Sequence, residues 1–292
     1  MATYSEPTHN SYRDITDLKE YFIDDVERTR KGIGSGTFGV VDELVVGGTP
    51  CVGKKTHECL LMDDEEVNRS SEHRFISACN VMSKLQHPNI VQFIGLCTFD
   101  ESTHPVLVME KIDDSLETVI ATNTNIPHLL ILYILKDIMS GLIYLHHQKP
   151  PIIHRNLTAR NVLVNKTSMI AKIADVGDVL IADPVKFSHA VSQAPEILPY
   201  MPPEVLYCSK PNYDLMLDIF SFGHLVLVTV IQKFPKVLLP PIYNDPSTKE
   251  LIPRSEVERR EEFIEMLYSK LTKDHKTTKM ILQCLHDLPE KR

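Results

Sequence analysis

Residues 152–161 read IIHRNLTARN. They follow a long apolar run at helical spacing, IPHLLILYILKDIMSGLIYLHH (126–147), and precede a strand-like run, VLVN (162–165). The pattern predicts a polar loop between two buried elements. On that loop stand His154, Arg155, Asn156, Arg160 and Asn161. Which chemistry the loop serves depends on what the rest of the chain places beside it.

The chain has 292 residues, enough for about two compact units or one bilobal domain. Hydrophobic residues make up 43%, so a sizeable core is available. Thirty-one basic against 39 acidic residues give a formal net charge of −8, which argues against nucleic acid as a partner. The six cysteines (51, 59, 79, 97, 208 and 284) form no C-x-x-C pair, so they read as reduced thiols and core filler rather than zinc ligands. The polar start, MATYSEPTHNSYRD, lacks a signal-peptide pattern. The apolar run HLVLVTVI (224–231) is shorter than the ~20 residues that cross a bilayer. Together these predict a cytoplasmic chain with no membrane span.

Residues 1–25 read as a polar tail holding one amphipathic piece, ITDLKEYFI (15–23). Strand signals follow: ERTRKGIG and FGVVDELVVG flank a glycine-rich turn, and GGTP (47–50) leads into CVGKKT. Phe75, Cys79, Met82 and Leu85 recur at helical spacing, behind an acidic start that suits a helix N-terminus. NIVQFIGLCTF (89–99) and PVLVMEKI (105–112) read as two more strands. After residue 113 the pattern turns helical, and LMLDIFSFGHLVLVTVIQ (215–232) is apolar almost all round, the mark of a buried helix. A strand-rich part before a helix-rich part predicts an α+β molecule of two lobes.

Gly34, Gly36 and Gly39 sit between two strand-like runs. Glycines there let backbone N–H groups approach phosphate oxygens. Strand rather than helix follows, so this is neither a dinucleotide fingerprint nor a P-loop. A lysine one strand downstream can reach the α- and β-phosphates. Lys54 and Lys55 are adjacent, and only one can face inward; spacing to the glycines selects Lys55. Asp175, in KIADVGD (172–178), can hold a magnesium ion that bridges phosphates, and Asn161 offers a second oxygen ligand.

In order and spacing these signals resemble the protein kinase signature set. The glycine loop, Lys55, HRNLTARN (154–161) and DVG (175–177) are followed by YMPPE (200–204), similar to the family's A-P-E, and by DIFSFG (218–223), similar to its central-helix motif. The resemblance covers residues 26–292 and implies a bilobal protein kinase fold, with a β-rich lobe over 26–110 and a helical lobe over 114–292. It implies ATP and Mg²⁺ as ligands and a protein substrate or partner kinase. By the same resemblance Met109 is the gatekeeper, Glu110 to Ile112 form the adenine-binding hinge, and Val41 and Leu163 line the nucleotide pocket. His154, Arg155, Asn156 and Arg160 take the catalytic-loop positions. Arg155 would pair with a phosphorylated activation-segment hydroxyl, the candidates being Ser188, Ser192 and Tyr200. Glu204 would pair with Arg292. The stop at LPEKR leaves no room for a final helix, which implies truncation. T-A-R-N resembles tyrosine kinases, whereas LPYMPPEVL (198–206) is closer to tyrosine-kinase-like Ser/Thr kinases.

Three positions depart from the family pattern. Asn156 stands where kinases carry the aspartate that accepts the substrate proton, a role worth ~10²–10⁴-fold. Ala78, nine residues before His87, stands where a helix glutamate pairs with the strand lysine. Glu72, six residues upstream, lies about 240° further round the helix. Val176 replaces the phenylalanine of D-F-G. These departures imply an ATP-binding pseudokinase or scaffold, the alternative being a slow but genuine kinase.

Overall fold

The structure, a computed structural model, describes residues 16–36, 39–57, 65–99, 105–123, 125–177, 196–206, 214–232, 242–244, 251–253, 280 and 283–285. The chain divides into two compact units, Met1–Ile112 with Asp175–Ala190, and Asp113–Ala174 with Val191–Arg292. The first cut falls in the gap left between 110 and 114. The return of 175–190 to the first unit is a correction, because a single cut was expected.

The first unit is built on a five-stranded antiparallel sheet, β1 (Val26–Gly36), β2 (Gly39–Val46), β3 (Thr49–Thr56), β4 (Phe93–Cys97) and β5 (Val106–Glu110), in the order β1-β2-β3-β5-β4. β2 and β3 join through Gly47 and Gly48 at φ 53° and 81°, with Val46 opposite Thr49. A two-residue turn of this kind needs positive φ at both positions, which glycine adopts without strain. Helix α1 (Glu65–Met82) packs Phe75, Ala78, Cys79 and Met82 against Phe93, Leu96 and Leu107 of the sheet. Burial pushes the Cys79 thiol on α1 and the Cys97 thiol on β4 up to about 12.

The amphipathic piece assigned to the tail is part of this unit. Thr16–Tyr21 is a 3-10 helix, Phe22 bridges Leu96 in parallel, and the Ile23 N–H donates to the Leu96 carbonyl at 2.8 Å. A Cβ on Gly95 would lie 2.6 Å from the Ile23 side chain and from the Tyr21 carbonyl oxygen, so β4 accepts this segment only as glycine. The domain boundary drawn at residue 26 therefore leaves out residues that the fold uses.

The second unit holds the short sheet β6 (Asp114–Ser115), β7 (Val162–Val164) and β8 (Ala171–Ile173), and helices α2 (Leu116–Thr122), α3 (His128–His146), α4 (Pro203–Leu206) and α5 (Leu215–Ile231). β9 (Ile242–Asn244) and β10 (Leu251–Pro253) form a separate hairpin pair. Ser115 caps α2 by accepting from the Thr118 N–H, and Asp214 caps α5 by accepting from the Met216 N–H at 2.8 Å. α5 is buried on nearly every side, as its all-round apolarity predicts. α3 is long and apolar enough by length and composition to cross a membrane, which a search for the longest uninterrupted apolar run missed. Its buried stripe of Ile131, Ile134, Leu135, Ile138, Leu142 and Leu145 fits a core helix equally well.

Candidate functional site

The loop 152–161 is shaped from beneath by one carboxylate. Asp218, on α5, is fully buried. Its oxygens accept the His154 N–H at 2.8 Å and the Arg155 N–H at 2.9 Å, and the His146 ring nitrogen Nε2 lies 2.8 Å away. Charge-assisted bonds of this kind hold the main chain of the loop in place, with Arg155 in the left-handed region at φ 62°. The His154 ring continues the network. Nε2 donates to the Ala174 carbonyl at 2.7 Å, and Nδ1 accepts the Asn156 N–H at 3.3 Å. Asn161 Nδ2 donates to the Asn156 carbonyl at 2.8 Å, and the Ala174 N–H donates to the Asn161 carbonyl.

Asn156 itself is 2% exposed, and its Oδ1 has no hydrogen-bond partner among the described residues. A buried acceptor left unmet costs ~1–3 kcal/mol. The loop thus spends stability at the position where the substitution for aspartate occurs. Arg160 lies at the rim, with Glu117 Oε2 at 3.1 Å and Glu196 Oε1 at 3.6 Å. Tyr200 is packing, not an accessible hydroxyl: it is buried, stacks edge-on against His224 and accepts the Ala159 N–H. Ser188, Ser192 and Arg292 lie outside the described residues, so their proposed pairings with Arg155 and Glu204 do too.

The lysine that the first unit brings onto Asp175 is Lys54, where Lys55 was expected. Lys54 is 5% exposed, and its Nζ lies 2.8 Å from Asp175 Oδ1. Strand parity explains the correction. A Cβ on Gly53 would meet Leu44 at 2.5 Å and Val106 at 2.8 Å, so that face of β3 is turned onto the core. Lys55 shares the face of Gly53, and Lys54 takes the other. Counting from the glycine loop missed the parity by one. Asp175 is in the left-handed region at φ 66°, and Val176 after it is buried. At Gly177 a Cβ would sit 2.4 Å from the Met82 sulfur, so α1 packs directly on this backbone. Ala78 is fully buried in the apolar cluster beneath α1. The Glu72 side chain lies outside the described residues.

In the glycine hairpin Gly34 pairs with Val41 and Gly36 with Gly39, while Thr37 and Phe38 at the tip lie outside the described residues. Gly39 has a structural reason to be glycine, since a Cβ would come 2.4 Å from the Lys55 carbonyl oxygen. At Gly34 the backbone is ordinary and a Cβ would make only van der Waals contact, with the Val41 Cβ at 3.8 Å, so no steric reason for glycine stands there. Met109 lies opposite Val52 and Phe93. Glu110 donates its N–H to the Gln92 carbonyl, and its carboxylate accepts the Gln92 N–H at 2.7 Å. Ile112 closes the first unit, and Leu163 lies half-buried on β7 of the second. Lys54 and Asp175 thus meet in one unit, and His154, Asn156 and Asn161 meet in the other. His146 was missed, although its signal was a second histidine just upstream of the loop.

A loop whose main chain hangs on a buried helix carboxylate, and a lysine drawn onto an aspartate after a short hairpin, are arrangements expected of the protein kinase fold. Residues 28–292 match the protein tyrosine and serine/threonine kinase family, and the chain belongs to it. Among its relatives is the dual specificity protein kinase splA of Dictyostelium discoideum, 29% identical over 72% of this chain and 9% of that protein. The serine/threonine-protein kinase Wnk of Drosophila melanogaster is 31% identical over 70% of this chain and 8% of its own length. A probable leucine-rich repeat receptor-like protein kinase of Arabidopsis thaliana is 27% identical over 100% of this chain and 25% of its own. The chain thus spans a quarter or less of each of these relatives.

Kinases of this family use ATP with magnesium, and the residues present fit those ligands. Taken one unit at a time, Asp175 in the first presents a carboxylate and Asn161 in the second an amide oxygen, each a hard donor of the kind Mg²⁺ takes, and the Asn161 nitrogen is already committed to the Asn156 carbonyl. Among the described residues no group of three or more His, Cys, Asp or Glu is placed to hold a metal ion.

Proposed function

We propose that this chain is a catalytically impaired kinase domain that binds ATP with Mg²⁺ and serves signalling in the cytoplasm by docking on a partner kinase or its substrate. One observation carries the reading: the catalytic-loop carboxylate is replaced by Asn156, a buried amide that can accept a hydrogen bond but not a proton. Lys54 would neutralise phosphate oxygens, and Asp175 and Asn161 are each, by the family resemblance, candidate ligands of Mg²⁺. The cation, when bound, supplies charge neutralisation across the phosphates. Ala78 removes the carboxylate that would hold the lysine from α1.

The alternative is slow transfer of the γ-phosphate to a Ser, Thr or Tyr hydroxyl. It is favoured by the survival of Lys54, Asn161 and Asp175 and by the kinase names of the relatives. A γ-phosphate transfer assay at saturating MgATP on a generic peptide decides between them. No transfer above an Asp175→Ala control is expected. Sustained turnover by the unmodified chain would reject the impaired reading.

A further inference from the structure

Residues 16–23 do more than extend the sheet. The Tyr21 hydroxyl donates to Asn80 Oδ1 on α1 at 2.7 Å, and its ring stacks edge-on against Phe93 of β4 with centroids 6.2 Å apart. One side chain thus ties α1 to the sheet. Burial pushes the Tyr21 phenol up, so it remains a donor across the neutral range. Two residues beyond Asn80, Met82 ends α1 with its sulfur against the Gly177 backbone. Two residues before Gly177 stands Asp175, paired with Lys54. Every link in this series lies within the first unit.

We propose that Thr16–Ile23 is a strap and Tyr21 a positioning residue, which fixes α1 and, through Met82 and Gly177, the Asp175–Lys54 pair. In this chain α1 has an alanine at the position where the family resemblance puts the carboxylate that pairs with the lysine, and Ala78 is buried in the apolar cluster. The strap holds the helix through Asn80 instead. Removal of the strap lets α1 shift and loosens the Asp175 end of the ion pair.

The first test needs no ligand. Urea unfolding is measured for the full chain, Tyr21→Phe, Asp175→Asn and the double variant. Tyr21→Phe keeps the ring and loses only the hydrogen bond. Independent sites multiply their effects on the unfolding constant to within about twofold. Here the double variant is expected to be less destabilised than that product, by about three- to tenfold. Pairing Tyr21→Phe with Tyr133→Ala, an exposed tyrosine on α3, is expected to be multiplicative. A multiplicative result for Tyr21 with Asp175 reduces the strap to local packing and overturns the proposal.

The second test rests on the ATP-binding reading above. Tyr21→Ala is expected to raise the Kd for MgATP about tenfold, and Tyr21→Phe with Asn80→Leu, which replaces both polar partners by apolar groups, to restore it to within about twofold. An unchanged Kd in Tyr21→Ala overturns the proposal. Absence of binding by the unmodified chain rejects the nucleotide reading, and the urea cycle then decides the strap by itself.

Discussion

At position 156 the difference between an amide and a carboxylate decides whether the loop holds a base. The Asn156 Oδ1 is buried and unmet among the described residues, so the side chain costs stability rather than supplying it. Asn156→Leu is therefore expected to leave stability unchanged or raise it by about 1 kcal/mol in urea melts. Asn156→Asp would place a charge in the same buried position and is expected to lower stability by about 1–3 kcal/mol. Its gain in γ-phosphate transfer should fall well short of the ~10²–10⁴-fold of a general base, because misplacement by about 1 Å can cost ~10²-fold. Repair of the helix is no simpler. Ala78→Glu would push a carboxylate into an apolar cluster at a position with no exposure. The loop letters, Asn161 and Asp175 could be proposed from the sequence because they form a short motif of fixed order. The lysine was not, because adjacent lysines differ only in strand parity, and parity here is set by Gly53 against Leu44 and Val106.

Among the elements, α5 governs the loop. Asp218 holds two loop N–H groups and the His146 ring. Asp218→Asn keeps the size but leaves one carbonyl-type oxygen for three partners. It is expected to cost about 2–4 kcal/mol and to unsettle residues 152–161 in hydrogen exchange before it affects the first unit. α5 also carries His224, whose burial lowers its pKa to about 3. The folded state then binds fewer protons than the unfolded one. The stability contributed is whole above the unfolded value near 6.5 and is lost as pH falls toward 3. At pH 4.5 the loss amounts to roughly 2–3 kcal/mol relative to pH 7, and His224→Leu should flatten that acid limb in urea titrations. Periodicity revealed both long helices, α3 and α5, since burial writes itself into apolar spacing. It could not reveal the strap, which depends on one glycine, Gly95, and on the placement of a single tyrosine.

On the scale of the whole molecule, the β-rich to helix-rich order and the two units were legible from the change of pattern near residue 113. The place of Asp175 and Gly177 in the first unit was not, because both make contacts with distant residues, Lys54 and Met82. If the chain binds nucleotide, MgATP at 100 times its Kd should add ~2.7 kcal/mol, a rise in melting temperature of about 4–5 °C for a chain of 292 residues. Asp175→Ala should abolish the dependence of that rise on magnesium. An unchanged melting temperature at millimolar MgATP rejects ATP binding.

The same packing gives the molecule a chemical clock. Cys79 on α1 and Cys97 on β4 flank the strap segment, and burial holds both thiols at about 12, so they are protonated and unreactive while the fold is closed. Alkylation of either thiol requires a moment of opening. The rate at which an alkylating reagent labels Cys79, read peptide by peptide, therefore reports how often the strap and α1 part, with no probe added to the chain.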